Sequence, residues 1–181
     1  MKQREQIEAR YRENLSRLPD YRDYIFYQWN SKVADLSYGK RGHIGREGCG
    51  AVAVHNVMKF IGKEQAFCDV LRNMEELRMP WLGAKFGTKP RSLGRYFTKH
   101  KIPFWKYSSP VDFKAALLTH QIGIVCTWNK RFNGMHFYCV YYAPEENAYY
   151  TANFYSPGGT DFKQTQLSEI SNLRFIVGYI I

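Results

Sequence analysis

The sequence predicts an α+β fold in which helices come first and an antiparallel sheet follows. Two observations carry this. Helix-period and helix-length apolar patterns fill the chain to about residue 120, whereas residues 122–128, 136–142, 148–153 and 174–181 are short runs of β-branched and aromatic residues. The run at 49–61 is apolar around most of its circumference, as a central buried helix is.

Taken in order, residues 2–18 read as a helix with one narrow apolar stripe, Ile7, Tyr11, Leu15 and Leu18, stopped by Pro19. It is expected on the surface of the domain, and its charged, separable look suggests a segment that could cover a cleft. Residues 21–30 are rich in aromatics, and 37–50 form a polar loop with five glycines. Further helices are expected at 64–79, ended by Pro80, at 90–100 with Pro90 in its first turn, and at 110–120, with a strand at 102–107. Residues 143–147 turn the two middle strands of the later sheet into a hairpin. The 181 residues suffice for one domain with its own core, and no repeat or linker divides 1–181.

Composition narrows the function. Four cysteines, Cys49, Cys68, Cys126 and Cys139, show neither Cys-x-x-Cys spacing nor a paired framework, which argues against structural zinc and a disulfide scaffold. The opening residues lack an apolar core and no stretch reaches the ~18 apolar residues of a membrane span, so the expected compartment is the cytoplasm. The formal net charge of +10 draws acidic partners, but the cations are dispersed and no nucleic-acid motif is present.

Three residues carry candidate chemistry. Cys49 follows the glycine-rich loop and opens the apolar helix, where free N–H groups and the positive end of the helix dipole favour a thiolate. Gly48 and Gly50 beside it, and Gly134 later in the chain, leave room for a substrate backbone. The other cysteines read as small core hydrophobes. His136, at the mouth of a strand after Asn133-Gly134-Met135, can accept a thiol proton and return it to a leaving amine. Asn153 can hold the imidazole in place if the register allows it. Pairing Tyr142 with Ala148 puts Asn153 on the wrong face, and a slip of one residue puts it on the face of His136. His55, His100 and His120 read as structural.

The run Glu47-Gly48-Cys49-Gly50-Ala51-Val52-Ala53-Val54 resembles the nucleophile segment of the double-glycine leader peptidases, the bacteriocin-processing papain-like cysteine peptidases, and of their stand-alone relatives. Gly134-Met135-His136-Phe137-Tyr138-Cys139-Val140 is similar to that family's histidine strand, and residues 150–159 to the segment of its third catalytic residue. The resemblance covers residues 38–181. It implies a papain-like fold, a Cys49–His136–Asn153 triad, thioester chemistry on a peptide or protein substrate, and no cofactor or metal. The chain departs from the pattern at Gly48, where the family has Asp, and at Asn153-Phe154, where it has Asp-Pro. It also has His43 six residues before the cysteine, where the family has the Gln that donates to the oxyanion. His43 and Gln28 are the two candidates for that donor, Gln28 only if 29–48 folds back. Three readings follow: a cysteine peptidase, a peptide-binding module on the same fold with the aromatics of 21–30, Trp81, Trp105 and Trp128 as its surface, and a nucleic-acid binder, which the dispersed charge disfavours.

Overall fold

The computed structural model describes residues 2–129, 134–154, 160–166 and 174–181. Among the described residues there are six α-helices, α1 (Gln3–Arg17), α2 (Ile44–Glu47), α3 (Cys49–Phe60), α4 (Phe67–Glu76), α5 (Leu93–Lys99) and α6 (Pro110–Leu117), of which α3 and α6 pack against an antiparallel sheet. The sheet has the order β3-β8-β4-β5-β6-β7, built from β3 (Trp105–Tyr107), β4 (Gly123–Asn129), β5 (Gly134–Ala143), β6 (Ala148–Ala152), β7 (Lys163–Thr165) and β8 (Arg174–Ile180). A separate two-stranded ribbon of β1 (Ser37–Tyr38) and β2 (Gly42–His43) precedes α2. The chain is thus α+β.

Alternation along β5 separates two cores. Phe137 and Cys139 face α3 and join its apolar residues in the larger core; Tyr138 and Val140 face the other way, toward Phe113 and Leu117 of α6. Every residue of α3 from Cys49 to Met58 is buried, as its all-round apolar sequence requires. The Cys139 thiol donates to the Ala53 carbonyl at 3.2 Å, which ties the centre of α3 to the centre of the sheet.

Several boundaries differ from expectation for local reasons. Helix α4 stops at Glu76 because Arg78 takes the left-handed conformation (φ 54°) and the Met79 N–H returns to the Met74 carbonyl at 3.0 Å. This is a Schellman closure with arginine where glycine usually signals the end. Pro90 lies before α5, not within it, and its carbonyl accepts the Tyr179 hydroxyl at 2.9 Å. The expected strand at 102–107 is paired only over Trp105–Tyr107, at the sheet edge.

Helix α1 does not cover a cleft. It packs on α4 and β1: Tyr11 Oη donates to Asp69 at 2.7 Å, Arg10 pairs with buried Glu75, and buried Asn14 exchanges two 2.9 Å hydrogen bonds with the Ser37 backbone as a strand partner would. The aromatics of 21–30 serve chiefly as packing: Tyr24 and Phe26 stack edge-on against Phe162, and Tyr21 lies against His55.

His55 is buried on α3, with Nε2 at 2.9 Å from the Asp23 carbonyl, and burial holds its pKa down at about 4 against 6.5 in the unfolded chain. The unfolded state therefore takes up this proton first. Stability is full above pH 6.5, falls as pH drops toward 4, and levels off below, by up to about 1.4 kcal/mol per pH unit for this one group. Urea titrations across that window are expected to show the loss, and His55→Gln to make it shallower, with buried His136 contributing in the same window.

Candidate active site

Cys49 is the first residue of α3 and is 7% exposed, at the floor of a cleft of about 510 Å³. The backbone amides of Phe137, Gly50 and Cys49 itself favour the thiolate and pull its pKa down. Burial acts the other way and is the larger effect, with the Glu47 carboxylate adding to it, so the thiol is pushed up to about 11. The sulfur therefore rests as a thiol, not as the thiolate expected from the helix dipole alone.

His136 precedes Phe137 on β5 with the parity of Tyr138, and it is not among the described residues lining the Cys49 cleft. The His136 ring is half-buried, stacked along Tyr138, and its Nε2 contacts the Asn153 carbonyl oxygen. A carbonyl only accepts, so Nε2 carries the proton and Nδ1 the basic lone pair. Burial lowers the His136 pKa to about 4, against a smaller opposing effect of that carbonyl. The imidazole rests neutral.

The register left open by the sequence is the slipped one. Tyr142 pairs with Tyr149 and Cys139 with Ala152, which gives position 153 the parity of His136 and Tyr138. The strand ends there, and Asn153 turns into the left-handed region (φ 59°), which asparagine tolerates. Its backbone carbonyl, not its side chain, meets His136. Its amide goes to Gln28. Oδ1 accepts the Gln28 backbone N–H at 3.0 Å, and Nδ2 donates to Gln28 Oε1 at 3.3 Å and to the Phe137 carbonyl at 3.4 Å. Residues 29–48 do fold back, so buried Gln28 reaches the site, but its Nε2 donates to the Gly45 carbonyl at 2.9 Å. Gln28 is a clamp on Asn153 in this arrangement.

His43 caps the start of α2, with its backbone N–H donating to Glu47 Oε2 at 3.0 Å, and its exposed ring is not among the cleft walls. The first backbone N–H groups of α3 lie at the helix start, where they have no intrahelical acceptor. Gly48 and Gly50 do not open the cleft. A Cβ on Gly48 would lie 2.7 Å from the Ile44 carbonyl oxygen, and one on Gly50 2.6 Å from Thr88 Oγ1, so both glycines serve close packing. Gly134 does line the cleft. The part of the third motif at 155–159, and Asn133, lie outside the described residues.

Sequence reasoning named Trp81 and Trp128 as binding surface but missed Lys85, Phe86 and Thr88 beside Trp81. The loop 81–88, closed by a bridge between Pro80 and Thr88, brings Trp81, Lys85, Phe86 and Thr88 to the cleft opposite Trp128 and Met135. The signal available was two large aromatics and two lysines in a non-periodic stretch between two prolines. Trp105, also named as surface, lies away on the sheet edge against His120. Cys68, Cys126 and Cys139 are buried, and burial raises each thiol's pKa.

No protein-family model matches the chain, and no curated protein matches it. Among the described residues no group of His, Cys, Asp and Glu could hold a metal ion, and no helix is long and apolar enough to cross a membrane.

Proposed function

We propose that the chain is a papain-like cysteine peptidase that cleaves peptide bonds through Cys49, His136 and Asn153. One observation carries the reading: Cys49 opens α3 at the floor of a cleft also lined by Phe137, the β5 residue after His136, whose own Nε2 contacts the Asn153 carbonyl oxygen. The helix start supplies the nucleophile and the oxyanion donors, and β5 supplies the base.

In this mechanism the substrate carbonyl carbon meets Sγ as His136 Nδ1 takes the thiol proton. Charge builds on the carbonyl oxygen, which the N–H groups at the start of α3 stabilise. The tetrahedral intermediate then collapses. The C–N bond breaks, the imidazolium gives its proton to the leaving amine, and the acyl group stays on sulfur as a thioester. Water, deprotonated by the same imidazole, releases the acid and restores the thiol. Because both groups rest neutral, proton transfer belongs to the attack itself. Asn153 orients the imidazole through its carbonyl, and Gln28 acts behind it as a positioning residue.

Gln28→Ala removes the clamp on Asn153. Misplacement of a catalytic group by an ångström costs on the order of 10²-fold in rate, so kcat is expected to fall by about that factor with KM little changed, read from steady-state cleavage of a quenched peptide. A change confined to KM would count against the positioning role. The peptidase reading itself is tested by incubating the protein with a mixed peptide library and reading new termini by mass spectrometry. Cleavage lost in Cys49→Ala supports it, and no cleavage across the library would overturn it.

A peptide-binding module with little or no catalysis is the second reading. It is favoured by the raised pKa of Cys49 and by the commitment of the Gln28 amide to Gly45.

A further inference from the structure

The walls of the Cys49 cleft differ in chemistry from its floor. Trp81 and Phe86 stand 39% and 52% exposed, with ring centroids 5.8 Å apart, on the loop that forms one wall. Large apolar side chains left in water at the mouth of a cleft can be covered favourably by a ligand's own apolar group. Trp128 and Met135 face them from the ends of β4 and β5, so an inserted side chain would meet apolar surface on both sides.

The charged residues of the rim are unequally committed. Glu47, the one acid among the described residues lining the cleft, is 16% exposed and already accepts the His43 backbone N–H. Arg46 is 76% exposed with that same carboxylate at 3.7 Å, and Lys85 extends with Nζ 5.7 Å from the Phe86 ring. Two cations beside an aromatic slot, against one largely buried acid, leave the rim net positive.

We propose that the cleft selects an extended peptide carrying an aromatic side chain next to an acidic one. The aromatic ring enters between Trp81 and Phe86 on one side and Trp128 and Met135 on the other. The adjacent carboxylate meets Lys85 and Arg46. The inference rests on the cleft being a peptide site, but not on turnover at Cys49.

Cys49→Ala protein, which cannot form a thioester, is titrated by fluorescence anisotropy with short labelled peptides. These differ in one central residue, phenylalanine or alanine, and in its neighbours, glutamate or lysine. The phenylalanine–glutamate peptide is expected to bind tightest. Loss of the ring is expected to weaken binding at least about tenfold, and glutamate-to-lysine exchange by about tenfold. Lys85→Glu placed in the Cys49→Ala background is expected to reverse the charge preference, and Trp81→Ala to remove the preference for the ring. Equal binding of all four peptides overturns the inference, as does displacement of the best peptide by a single-stranded oligonucleotide at lower concentration. If the preference is present while the wild-type protein leaves the same peptides intact, the inference holds and the peptidase reading fails.

Discussion

Replacing His136 with alanine is expected to slow acylation of Cys49 by a peptide thioester substrate by about 10²–10⁴-fold, the range of a positioned general base. The effect should be large because the sulfur has no thiolate in reserve. Burial has pushed its pKa to about 11, so at neutral pH the proton must leave as the bond forms. The pH profile follows from the same numbers. His136 has its pKa lowered to about 4, so the neutral base is present above that value and is lost as pH falls through it. Acylation in the wild-type protein is expected to be flat from about pH 5 into the neutral range and to decline near pH 4. A simple alkylating agent, which gains less from an orienting site, is expected to react with Cys49 slowly at neutrality and faster toward pH 11. A rapid low-pH plateau of alkylation would show a thiolate–imidazolium pair at rest and contradict this account of the site.

The second large effect is on stability. Glu75 is 6% exposed. It accepts hydrogen bonds from Arg10 (Nε at 3.0 Å) and from the Gly39 backbone N–H at 2.8 Å. Glu75→Ala strips both. Breaking a buried ion pair from one side costs about 3–5 kcal/mol, and the partial exposure of Arg10 places the expected loss near the lower end, about 3 kcal/mol. For a chain of this size that is roughly 6–12 °C in Tm. Glu75→Gln keeps an acceptor for Gly39 and is expected to lose less. A loss under about 1 kcal/mol by urea denaturation would mean the pair is screened. The consequence reaches the cleft. Gly39 (φ 66°) lies so close to the 81–88 loop that a Cβ there would be 2.8 Å from the Gly83 carbonyl, and Arg41 donates its N–H to that same carbonyl at 2.8 Å. Helices α1 and α4 therefore buttress the cleft wall from behind, and Glu75→Ala is expected to weaken peptide binding as well.

Much of the helix and sheet pattern was legible because periodicity reports burial. Helix α3 is apolar all round and buried all round, and β4, β5, β6 and β8 fall where β-branched and aromatic runs predict them. Short elements closed by long-range contacts were not legible. The β1–β2 ribbon owes its place partly to Asn14, and β7 has only three residues paired with β6. At the site, Cys49 could be placed at a helix start from its glycine-rich approach, but its protonation could not be. The helix start favours a thiolate, while desolvation by the surrounding core is a property of the packed structure. Asn153 could be named, yet whether its amide or its carbonyl meets His136 depends on one left-handed residue and on Gln28, far away in the chain. For Gly48 and Gly50 the sequence shows only that space is needed, not whether a substrate or Ile44 and Thr88 fill it.

The most direct test of the central claim is to trap the acyl-enzyme. The protein is mixed with a peptide thioester bearing the aromatic–acidic pair, quenched in acid within the first turnover, and digested for mass spectrometry. The account predicts the acyl group on Cys49 and on no other cysteine, and its near-absence when His136→Ala is treated in the same way. Acylation spread evenly over Cys49, Cys68, Cys126 and Cys139 only on unfolding, or unchanged labelling of Cys49 without His136, would contradict it.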